Sequence, residues 1–416
     1  MKIAVLGGGL AGLTCAILLQ EKGLEVEVFE QEEQPGGLAR SIVKDGFVFD
    51  LHGGHVYNSK QAAVNDWVFS KLPKNNWQWQ PRKARILYEN NILDYPFELS
   101  LKKLPVAEAI DCVKGLISRQ GSEPGNYYDW LIWNFGRAIA ERYMLPYNEK
   151  IWSYDLRQLG TYWVKGKMPL VTIDEVLKAI LTGETGEDNM PHSRFYYPLS
   201  GGIQTLANAL AREVKTLHCG RPVISLEKTG QGWLVNGTDK FDRIVSTLPL
   251  KELPRLMAGA LPSQVVQAIE ALKFNSLTVT LCESAEPFDC SWLYIPSKTF
   301  KSHRIVFQGN FARNNCPAGK NSLAVETIGA WDPAVQTAEL RREAWYNKIQ
   351  VGGIIASSFT KYAYMIFDQK TPGNLKIISE YFAGSDLQLL GRFAEWQYYN
   401  MDICMKRAFE VAEGIK

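Results

Sequence analysis

The feature that most constrains this chain is a glycine-rich turn directly after its first apolar segment. Residues 2–6 form a nearly continuous apolar run, which predicts a strand buried on both faces of a parallel sheet. Gly7, Gly9 and Gly12 follow in the pattern Gly-x-Gly-x-x-Gly. Helical spacing of apolar residues comes next, and residues 24–29 then predict a second strand. The pattern indicates a βαβ unit of about 30 residues.

Each glycine of this turn has a steric task in a dinucleotide site. Gly7 permits the tight turn, Gly9 lets the backbone approach a pyrophosphate, and Gly12 lets the helix pack closely on the strand. The free N–H groups and the positive end of the helix dipole would hold the phosphates. Glu30 ends the second strand, where a carboxylate accepts hydrogen bonds from a ribose 2′-hydroxyl and repels a 2′-phosphate.

The segment after Glu30 decides between NAD and FAD. A Gly-x-Gly-x-x-Gly motif alone is weak evidence, because an ordinary glycine turn gives the same letters. Residues 34–41 read QPGGLARS and resemble the Gly-Gly-x-x-Arg-Ser/Thr segment of the large FAD family that includes amine oxidases, protoporphyrinogen oxidase and UDP-galactopyranose mutase. This resemblance favours FAD over NAD.

Composition limits the partners of the chain. Its 46 Lys and Arg nearly balance its 44 Asp and Glu, so no overall field would attract nucleic acid or an anionic membrane. Seven scattered cysteines without a Cys-x-x-Cys pair argue against a disulfide framework or a zinc site. No apolar run approaches the roughly 20 residues of a membrane span. We therefore expect no membrane insertion and a cytoplasmic location.

The 416 residues are expected to form an α/β protein of three domains. A Rossmann-type FAD-binding domain would combine residues 1–98, 196–250 and 355–416. The helical, aromatic-rich pattern of residues 99–195 predicts an inserted helical domain with a mobile flap. Short β-rich runs in residues 251–354 predict an antiparallel β-sheet substrate domain that would roof a cleft.

Several segments, in the same order along nearly the whole chain, together resemble UDP-galactopyranose mutase in its bacterial and eukaryotic forms. They are Gly53-Gly54-His55-Val56, Tyr95-Pro96-Phe97, residues 146–152, Trp292-Leu293-Tyr294, Arg304, Tyr362-Ala363-Tyr364 and residues 391–402.

The resemblance implies an isomerase with an unusual use of FAD. Members of that family interconvert UDP-galactopyranose and UDP-galactofuranose, with N5 of the reduced flavin acting as a nucleophile on the anomeric carbon and no net redox change. A nucleotide-sugar substrate and reduced FAD are therefore implied, with NADPH or NADH as the reductant by family analogy. A homo-oligomer is compatible with the resemblance, which leaves the oligomeric state open.

Three residues receive catalytic roles from the resemblance: His55, Lys167 and Arg304. His55 would lie beside the flavin and help to position N5, although a histidine satisfied within the core is the alternative. Arg304 lies ten residues after Tyr294, which matches the family's spacing. It would hold the pyrophosphate with its planar fork and stabilise the leaving UDP, the alternative being a surface arginine.

The remaining predicted site residues fall into two groups. Those implied to bind the substrate are Tyr95, Tyr147, Asn148, Trp152, Trp292, Tyr294, Tyr364, Tyr398 and Asn400. Those expected to bind the cofactor, besides Gly7, Gly9, Gly12 and Glu30, are Leu10, Ala11, Gln31, Gly37, Leu38, Arg40, Val223, Arg392, Asn400 and Met401. Core packing is the alternative for the aromatic residues, because aromatic stripes at helical spacing more often pack than bind.

Two residues depart from the family's pattern. Lys167 stands where eukaryotic members place a second diphosphate-binding arginine, and lysine keeps the charge but loses the bidentate fork. Glu98 stands where those members carry a glutamine that contacts the nucleobase, and a carboxylate accepts where an amide can also donate. The base and the sugar therefore stay open.

Two rival functions remain. An FAD-dependent oxidoreductase of the amine oxidase or protoporphyrinogen oxidase type explains the N-terminal third equally well. It does not explain a set of tyrosines and an arginine suited to a diphosphate, namely Tyr294, Arg304, Tyr364 and Tyr398. The third possibility is a nucleotide-sugar-binding flavoprotein without turnover, with Lys167 as its signature.

Overall fold

Two large sheets organise the chain in the computed structural model. The structure describes residues 1–118, 121–164, 166–168, 170–184, 193–284, 287–342, 349 and 351–415. One large sheet is parallel and carries the N-terminal glycine turn, and the other is mainly antiparallel. The predicted α/β fold with a Rossmann-type domain is confirmed.

The parallel sheet has the first strand of the chain at its centre. Its five strands, in spatial order, are Leu387–Leu389, Arg243–Ser246, Lys2–Leu6, Glu25–Phe29 and Leu217–His218. From Ile3 to Leu6 the central strand is completely buried, as its continuous apolar run predicts for a strand covered on both faces. The carboxyl end of this strand leads directly into the glycine turn.

The helix Leu10–Glu21 follows the turn and packs against the C-terminal helix Met401–Gly414. Ten of its twelve residues are buried, because the sheet lies on one side and helices lie on the other. Lys22 joins the two helices by donating from Nζ to the carbonyls of Ala412 and Ile415, both at 2.7 Å. A cation at these C-terminal carbonyls also complements the helix dipole.

The second large sheet has seven strands from three separate parts of the chain. Among its described strands, only Trp292–Tyr294 and Ala84–Tyr88 pair in parallel. The spatial order is Val351–Ile366, Lys273–Ser284, Asn321–Ile328, Arg304–Val306, Trp292–Tyr294, Ala84–Tyr88 and Asn91–Asp94. The edge strand Val351–Ile366 extends past the end of the predicted segment 251–354, and the other edge strand, Asn91–Asp94, lies wholly outside it. The division into three domains stays a prediction.

Alternation along these strands gives the sheet two different faces. Leu293, Ile305 and Val325 are neighbours across three strands and lie in one apolar cluster. The next residues along the same strands pair as Tyr294, Arg304 and Glu326. Because side chains in a strand point alternately to opposite faces, this polar row lies on the other face.

The predicted inserted segment forms helices, one of which lies on that polar face. They are Val106–Ile117, Tyr127–Ile139, the π-helix Ala140–Met144, Leu145–Trp152 and Ile173–Thr182. The helix Leu145–Trp152 lies on the sheet, where the ring of Tyr147 meets that of Tyr294 edge to face at 5.4 Å. Asn275 of the sheet donates to the carbonyl of Ile151 at 3.1 Å. A layer of polar and aromatic side chains lies between sheet and helix, at the place of the predicted cleft, and this layer is called the cleft below.

The remaining elements are short and surround these two sheets. The helices are Ala62–Lys71, Gln204–Ala211, Leu253–Leu256, Ser263–Ala271, Pro333–Arg342 and Thr371–Phe382. The smaller sheets pair Ser41–Lys44 with Phe47–Asp50, Trp77–Pro81 with Arg194–Pro198, and Leu226–Thr229 with Gly232–Val235 and Asp239–Phe241. Within the described ranges, no helix has both the length and the apolar content that crossing a bilayer requires.

Candidate functional site

The glycine turn forms a cradle that only backbone can line. Gly7 has φ of 103°, and a Cβ on Gly12 would lie 2.1 Å from the carbonyl oxygen of Gly7. Gly9 directly precedes the helix Leu10–Glu21 and has an extended backbone. Because it has no side chain, only main-chain atoms lie at the start of the helix. Leu10 and Ala11 therefore start the helix with their N–H groups at its positive end.

A second glycine loop lies directly against the first. The N–H of Gly36 donates to the carbonyl of Gly8 at 2.8 Å. Gly37 has φ of 56°, and a Cβ on it would lie 3.1 Å from the Cα of Gly9. Two segments that are separate in the sequence thus make one backbone surface. This surface fits the pyrophosphate of a dinucleotide, since phosphates bind to clustered N–H groups.

Glu30 occupies the position beside this cradle that its place in the sequence predicts. Its carboxylate is 7% exposed and accepts from the N–H groups of Gly8 at 2.7 Å and of Glu32 at 3.0 Å. Burial raises the pKa of Glu30, while the two N–H donors oppose that rise. Arg40 pairs with Glu32 at 2.7 Å, and exposed Gln31 lies next to Glu30.

The C-terminal residues predicted for the cofactor lie at the start of the last helix. Arg392 donates to the carbonyl of Tyr399 at 3.0 Å, and its guanidinium lies 4.4 Å from the ring centroid of Tyr398. Asn400 occupies the N-cap position of the helix that Met401 begins, without a capping hydrogen bond from its side chain. Leu38 and Val223 both pack at the edge of the apolar cluster that contains Phe29 and Leu250. Their contact with a cofactor stays a prediction.

Arg304 lies in the cleft and is held by a buried carboxylate. Its Nε and Nη2 donate to the same oxygen of Glu326 at 2.7 and 2.5 Å, and Glu326 is completely buried. Nη2 also lies 3.5 Å from the hydroxyl of Tyr364. Burial acts to lower the pKa of Arg304, but Glu326 and the neighbouring tyrosines raise it well above its ordinary value. The arginine therefore stays charged in the cleft.

Three predicted tyrosines surround this arginine. The hydroxyl of Tyr364 lies 3.5 Å from Nη2, Tyr294 is the cross-strand neighbour of Arg304, and the ring of Tyr147 contacts that of Tyr294. Tyr294 also contacts Tyr95, whose ring centroid is 5.4 Å away. The structure thus brings together residues from four distant parts of the sequence. Their phenol groups can donate hydrogen bonds to an anion next to a fixed positive charge.

His55 lies on the loop between the two regions. Its Nδ1 is 2.7 Å from the carbonyl of Gly53, an acceptor, so Nδ1 carries the hydrogen. Burial, together with the charges of Arg392 and Arg304, lowers the pKa of His55 to about 4. The imidazole is therefore neutral near pH 7, with Nε2 free to accept a hydrogen bond.

Glu326 connects this histidine loop to the arginine. Its Oε1 lies 3.4 Å from the N–H of Gly54, while its Oε2 holds Arg304. A Cβ on Gly53 would approach Oε1 to 2.7 Å, so the loop can lie on the carboxylate only because that residue is glycine. The predictions from the sequence did not include Glu326. Alternation along its strand places Glu326 on the same face as Arg304. Predicting their contact also requires knowing that the two strands are neighbours.

Asn148 and Trp152 form the wall behind the cleft. The Oδ1 of Asn148 accepts from the hydroxyl of Tyr127 at 2.9 Å and from Nε1 of Trp152 at 3.1 Å. Its Nδ2 donates to the carbonyl of Met144 at 2.8 Å. Both the oxygen and the nitrogen of the Asn148 amide are thus used in hydrogen bonds within the helical layer. Direct binding of a ligand by Asn148 and Trp152 stays a prediction.

Lys167 lies at the cofactor end of the cleft with Tyr398. Its Nζ donates to the carbonyl of Tyr398 at 2.7 Å and lies 5.4 Å from the centroid of that ring. Burial lowers the pKa of Lys167, and the nearby charge of Arg392 lowers it further. The amine thus lies against Tyr398 and Arg392.

Arg82 is a cleft residue that the predictions missed. Its Nη2 donates to the hydroxyl of Tyr294 at 2.6 Å. The guanidinium lies 5.2 Å from the ring centroid of Trp292 and 5.8 Å from that of Tyr95. No motif surrounds Arg82 in the sequence, and only the parallel pairing of Ala84 with Trp292 brings it here.

Glu98 is buried near the same aromatic residues. The carboxyl is 1% exposed, and neither oxygen has a hydrogen-bond partner among the described residues. Burial raises the pKa of Glu98 to about 7. It acts on the titration of both Tyr95 and Tyr143, so it lies close to their rings. A carboxyl in this state can exchange a proton near neutral pH.

Two parts of the chain match the models of known families. Residues 5–71 match an NAD(P)-binding Rossmann-like domain. Residues 135–350, about half of the chain, match the family described as flavin containing amine oxidoreductase. A curated relative, the 4,4'-diapophytoene desaturase (4,4'-diaponeurosporene-forming) of Staphylococcus aureus strain COL, is 45% identical over 90 residues. That match covers 21% of this chain and 17% of the desaturase.

Solved structures share the fold at low sequence identity. A reduced UDP-galactopyranose mutase has a TM-score of 0.91 at 22% identity, over 100% of this chain and 93% of that one. A fatty acid isomerase from P. acnes that produces CLA has a TM-score of 0.68 at 12% identity, over 99% and 98%. A putrescine oxidase with redesigned cofactor binding has a TM-score of 0.66 at 15% identity, over 100% and 98%. Identities this low show the fold alone.

Proposed function

The chain belongs to the flavin containing amine oxidoreductase family, and from this premise we propose that it is a flavin-dependent sugar-nucleotide mutase. It would interconvert a nucleotide-linked pyranose and furanose, either UDP-galactopyranose and UDP-galactofuranose or a related pair. The observation that carries this proposal is the set of three tyrosines, Tyr147, Tyr294 and Tyr364, near Arg304 in the cleft. A fixed cation surrounded by phenol groups suits a diphosphate, whereas an amine or an apolar polyene offers no anion to bind.

FAD is the cofactor that the backbone cradle fits. Gly7, Gly9 and Gly12 would receive its pyrophosphate, and Glu30 its adenosine ribose. When bound in reduced form, FAD supplies a nucleophilic nitrogen, N5, for the anomeric carbon. NADPH or NADH as the source of the electrons stays a prediction.

Arg304 would bind the diphosphate and stabilise UDP when it leaves. Its Nε and Nη2 are directed to Glu326, while no acceptor for Nη1 is found in the described part of the chain. The hydrogens of Nη1 are thus available for phosphate oxygens. The pair with Glu326 would hold the side chain in one orientation, which is the preorganisation that electrostatic stabilisation requires.

His55 would contribute through an acceptor in a fixed orientation. The bond from Nδ1 to Gly53 sets the tautomer, so Nε2 presents a lone pair. Because its pKa is about 4, the ring does not become a cation beside Arg304 and Arg392 near pH 7. We assign His55 the positioning of the cofactor ring, consistent with its loop lying on Glu326.

The decisive experiment measures isomerisation by FAD-loaded protein with and without reduction by dithionite. A panel of UDP-, dTDP- and GDP-linked pyranoses is incubated with each form, and the products are separated by chromatography. We expect a furanose product from at least one sugar with the reduced protein and none with the oxidised protein. The absence of product from every sugar, together with bleaching of the oxidised flavin by an amine, would instead establish an oxidase.

An oxidoreductase is the second candidate because of the family match and the 45% identity to a desaturase over 90 residues. Both observations concern a shared flavin framework and say nothing of the residues in the cleft. Arg304→Ala separates the two functions. In a mutase it should weaken UDP binding by about 10- to 100-fold with an unchanged flavin spectrum. In an oxidase of amines, UDP should not bind the wild-type protein in the first place.

A further inference from the structure

We propose that Arg82 is a second anion-binding residue of the cleft, which binds a phosphate or carboxylate oxygen of the ligand and directs the hydroxyl of Tyr294 to the same group. The inference rests on the proposed function in taking this cleft as the ligand site. It concerns a residue to which neither the sequence patterns nor the comparisons give a role.

The first argument is the lack of a carboxylate partner. Arg304 has Glu326, but Arg82 makes no ion pair with any carboxylate of the described ranges. Its Nε is buried there without an acceptor. Glu98 is the unpaired carboxyl of this region, and neither of its oxygens accepts a hydrogen bond from Arg82. A desolvated guanidinium without an acid is costly, and an anionic ligand would remove that cost.

The second argument is that the guanidinium is already held in place. Trp292 and Tyr95 lie within cation–π distance of it, at 5.2 and 5.8 Å. Both rings belong to the cleft, and Trp292 is 5% exposed. Arg82 therefore needs little reordering to receive a ligand, since its planar fork is preorganised.

The third argument concerns the hydrogen of the Tyr294 hydroxyl. The oxygen accepts from Nη2 of Arg82 at 2.6 Å, so its own hydrogen is directed away from Arg82. Tyr294 is paired with Arg304 across the neighbouring strand. Arg82 and Arg304 are thus both neighbours of Tyr294, one through a hydrogen bond and the other across the strand pair. A single anionic group placed at this phenol would meet two cations and one oriented O–H.

Titration calorimetry of the FAD-loaded protein tests the assignment. The probes are uridine, UDP, UDP-glucose, UDP-glucuronic acid and inorganic pyrophosphate, and the variants are Arg82→Gln and Arg82→Lys. We expect Arg82→Gln to weaken UDP and pyrophosphate by about 10- to 100-fold and to leave uridine unchanged. Arg82→Lys should recover part of the loss, because it restores the charge without the fork. Arg255→Gln, at an exposed arginine paired with Glu252, is the matched control and should change nothing.

The two sources of the anion give different results. If Arg82 binds a sugar carboxylate, Arg82→Gln keeps UDP binding but abolishes any preference for UDP-glucuronic acid over UDP-glucose. Unchanged binding of all five probes, in variants with wild-type flavin spectra and melting temperatures, overturns the proposal. Equal weakening of uridine and UDP also overturns it, because a purely structural role has that effect.

A double-mutant cycle tests the action through Tyr294. If Arg82 orients that hydroxyl, the losses in UDP affinity from Arg82→Gln and Tyr294→Phe should be strongly non-additive. Additive losses would exclude the orienting role. The mutase activity and the role of Arg82 can fail independently. A protein that binds UDP through Arg82 but forms no furanose would support the role of Arg82 and contradict the mutase function.

Discussion

The two halves of the site are built from different materials. The dinucleotide cradle consists of backbone from residues 7–12 and 36–37, and its shape depends on glycines, which have no side chain. The cleft consists of charged and aromatic side chains from segments hundreds of residues apart, among them Arg82, Tyr294 and Arg304. The cradle cannot accept an added methyl group at Gly12, where a Cβ would lie 2.1 Å from the carbonyl oxygen of Gly7. A cleft made of side chains can change its specificity one residue at a time, without a change of fold.

Each half of the site contains a buried glutamate, and the two glutamates differ in their hydrogen-bond partners. Glu30 accepts from two N–H groups beside the cradle, whereas the oxygens of Glu98 have no partner within the described chain. Burial raises the pKa of both, and that of Glu98 reaches about 7. The backbone donors therefore favour the ionised form of Glu30 at the cradle. Among the described residues, no donor compensates the charge of an ionised Glu98 in the cleft.

The largest expected effect is that of Gly12→Val. A Cβ there would lie 2.1 Å from the carbonyl of Gly7, so the turn must open and the cradle is lost. We expect loss of bound FAD and destabilisation by more than about 4 kcal/mol, measured by flavin absorbance per protein and by urea unfolding. Gly373→Ala is the control, because nothing lies within 4 Å of its added Cβ. Retention of FAD by Gly12→Val would show that the cradle is not limited by backbone contact.

Glu326→Gln should have the next largest effect, this time in the cleft. It leaves the cation of Arg304 without its charged partner, which costs about 3–5 kcal/mol in a buried pair. Urea unfolding gives the stability, and a second titration gives the affinity for UDP. A smaller loss in the double variant with Arg304→Met would show that the unpaired charge causes the destabilisation. If the single variant is as stable as wild type, Glu326 does not hold the arginine.

Glu98→Gln should stabilise the protein at high pH. The folded-state pKa of about 7 lies above the ordinary 4.5, so stability present below pH 4.5 is lost as the pH rises through 7. The substitution should recover on the order of 3 kcal/mol at pH 8 and nothing at pH 4. Unfolding curves across that range measure it. A gain that does not depend on pH would mean that the carboxyl is already paired.

Lys167→Arg should have the smallest effect. Its Nζ already donates to the carbonyl of Tyr398, so stability should change by less than about 1 kcal/mol. The fork of arginine should tighten UDP binding a few-fold, measured by calorimetry with Lys361→Arg as an exposed control. A large gain in affinity would mean that Lys167 limits this cleft more than the arrangement around Arg304 does.

The local features of the fold could be predicted closely. The strand Lys2–Leu6 has the predicted bounds, and the second strand, Glu25–Phe29, starts one residue later than expected. These elements follow from periodicity and from glycine stereochemistry, which act over a few residues. Arg304 and Tyr294 were predicted, through the resemblance, to bind one diphosphate, and the structure pairs them across two strands, while their binding of a diphosphate stays a prediction.

Arg82 and Glu326 could not be found in the same way. Glu326 meets Arg304 because the strand Asn321–Ile328 lies beside Arg304–Val306, and Arg82 reaches Tyr294 because Ala84–Tyr88 runs parallel to Trp292–Tyr294. No spacing in the chain encodes such an order, because strand neighbours are selected by the packing of the whole sheet. Domain bounds drawn along the sequence likewise separate strands that share this sheet.

From the sequence alone, the existence of the cradle was determined, since the turn needs residues without a Cβ and glycine is the only one. The chemistry of the cleft was decided by tertiary structure. A guanidinium behaves differently beside a buried carboxylate, as Arg304 does, than beside a phenol and two rings, as Arg82 does. The charge, solvation and free hydrogens of a side chain depend on neighbours that only folding brings within a few ångströms.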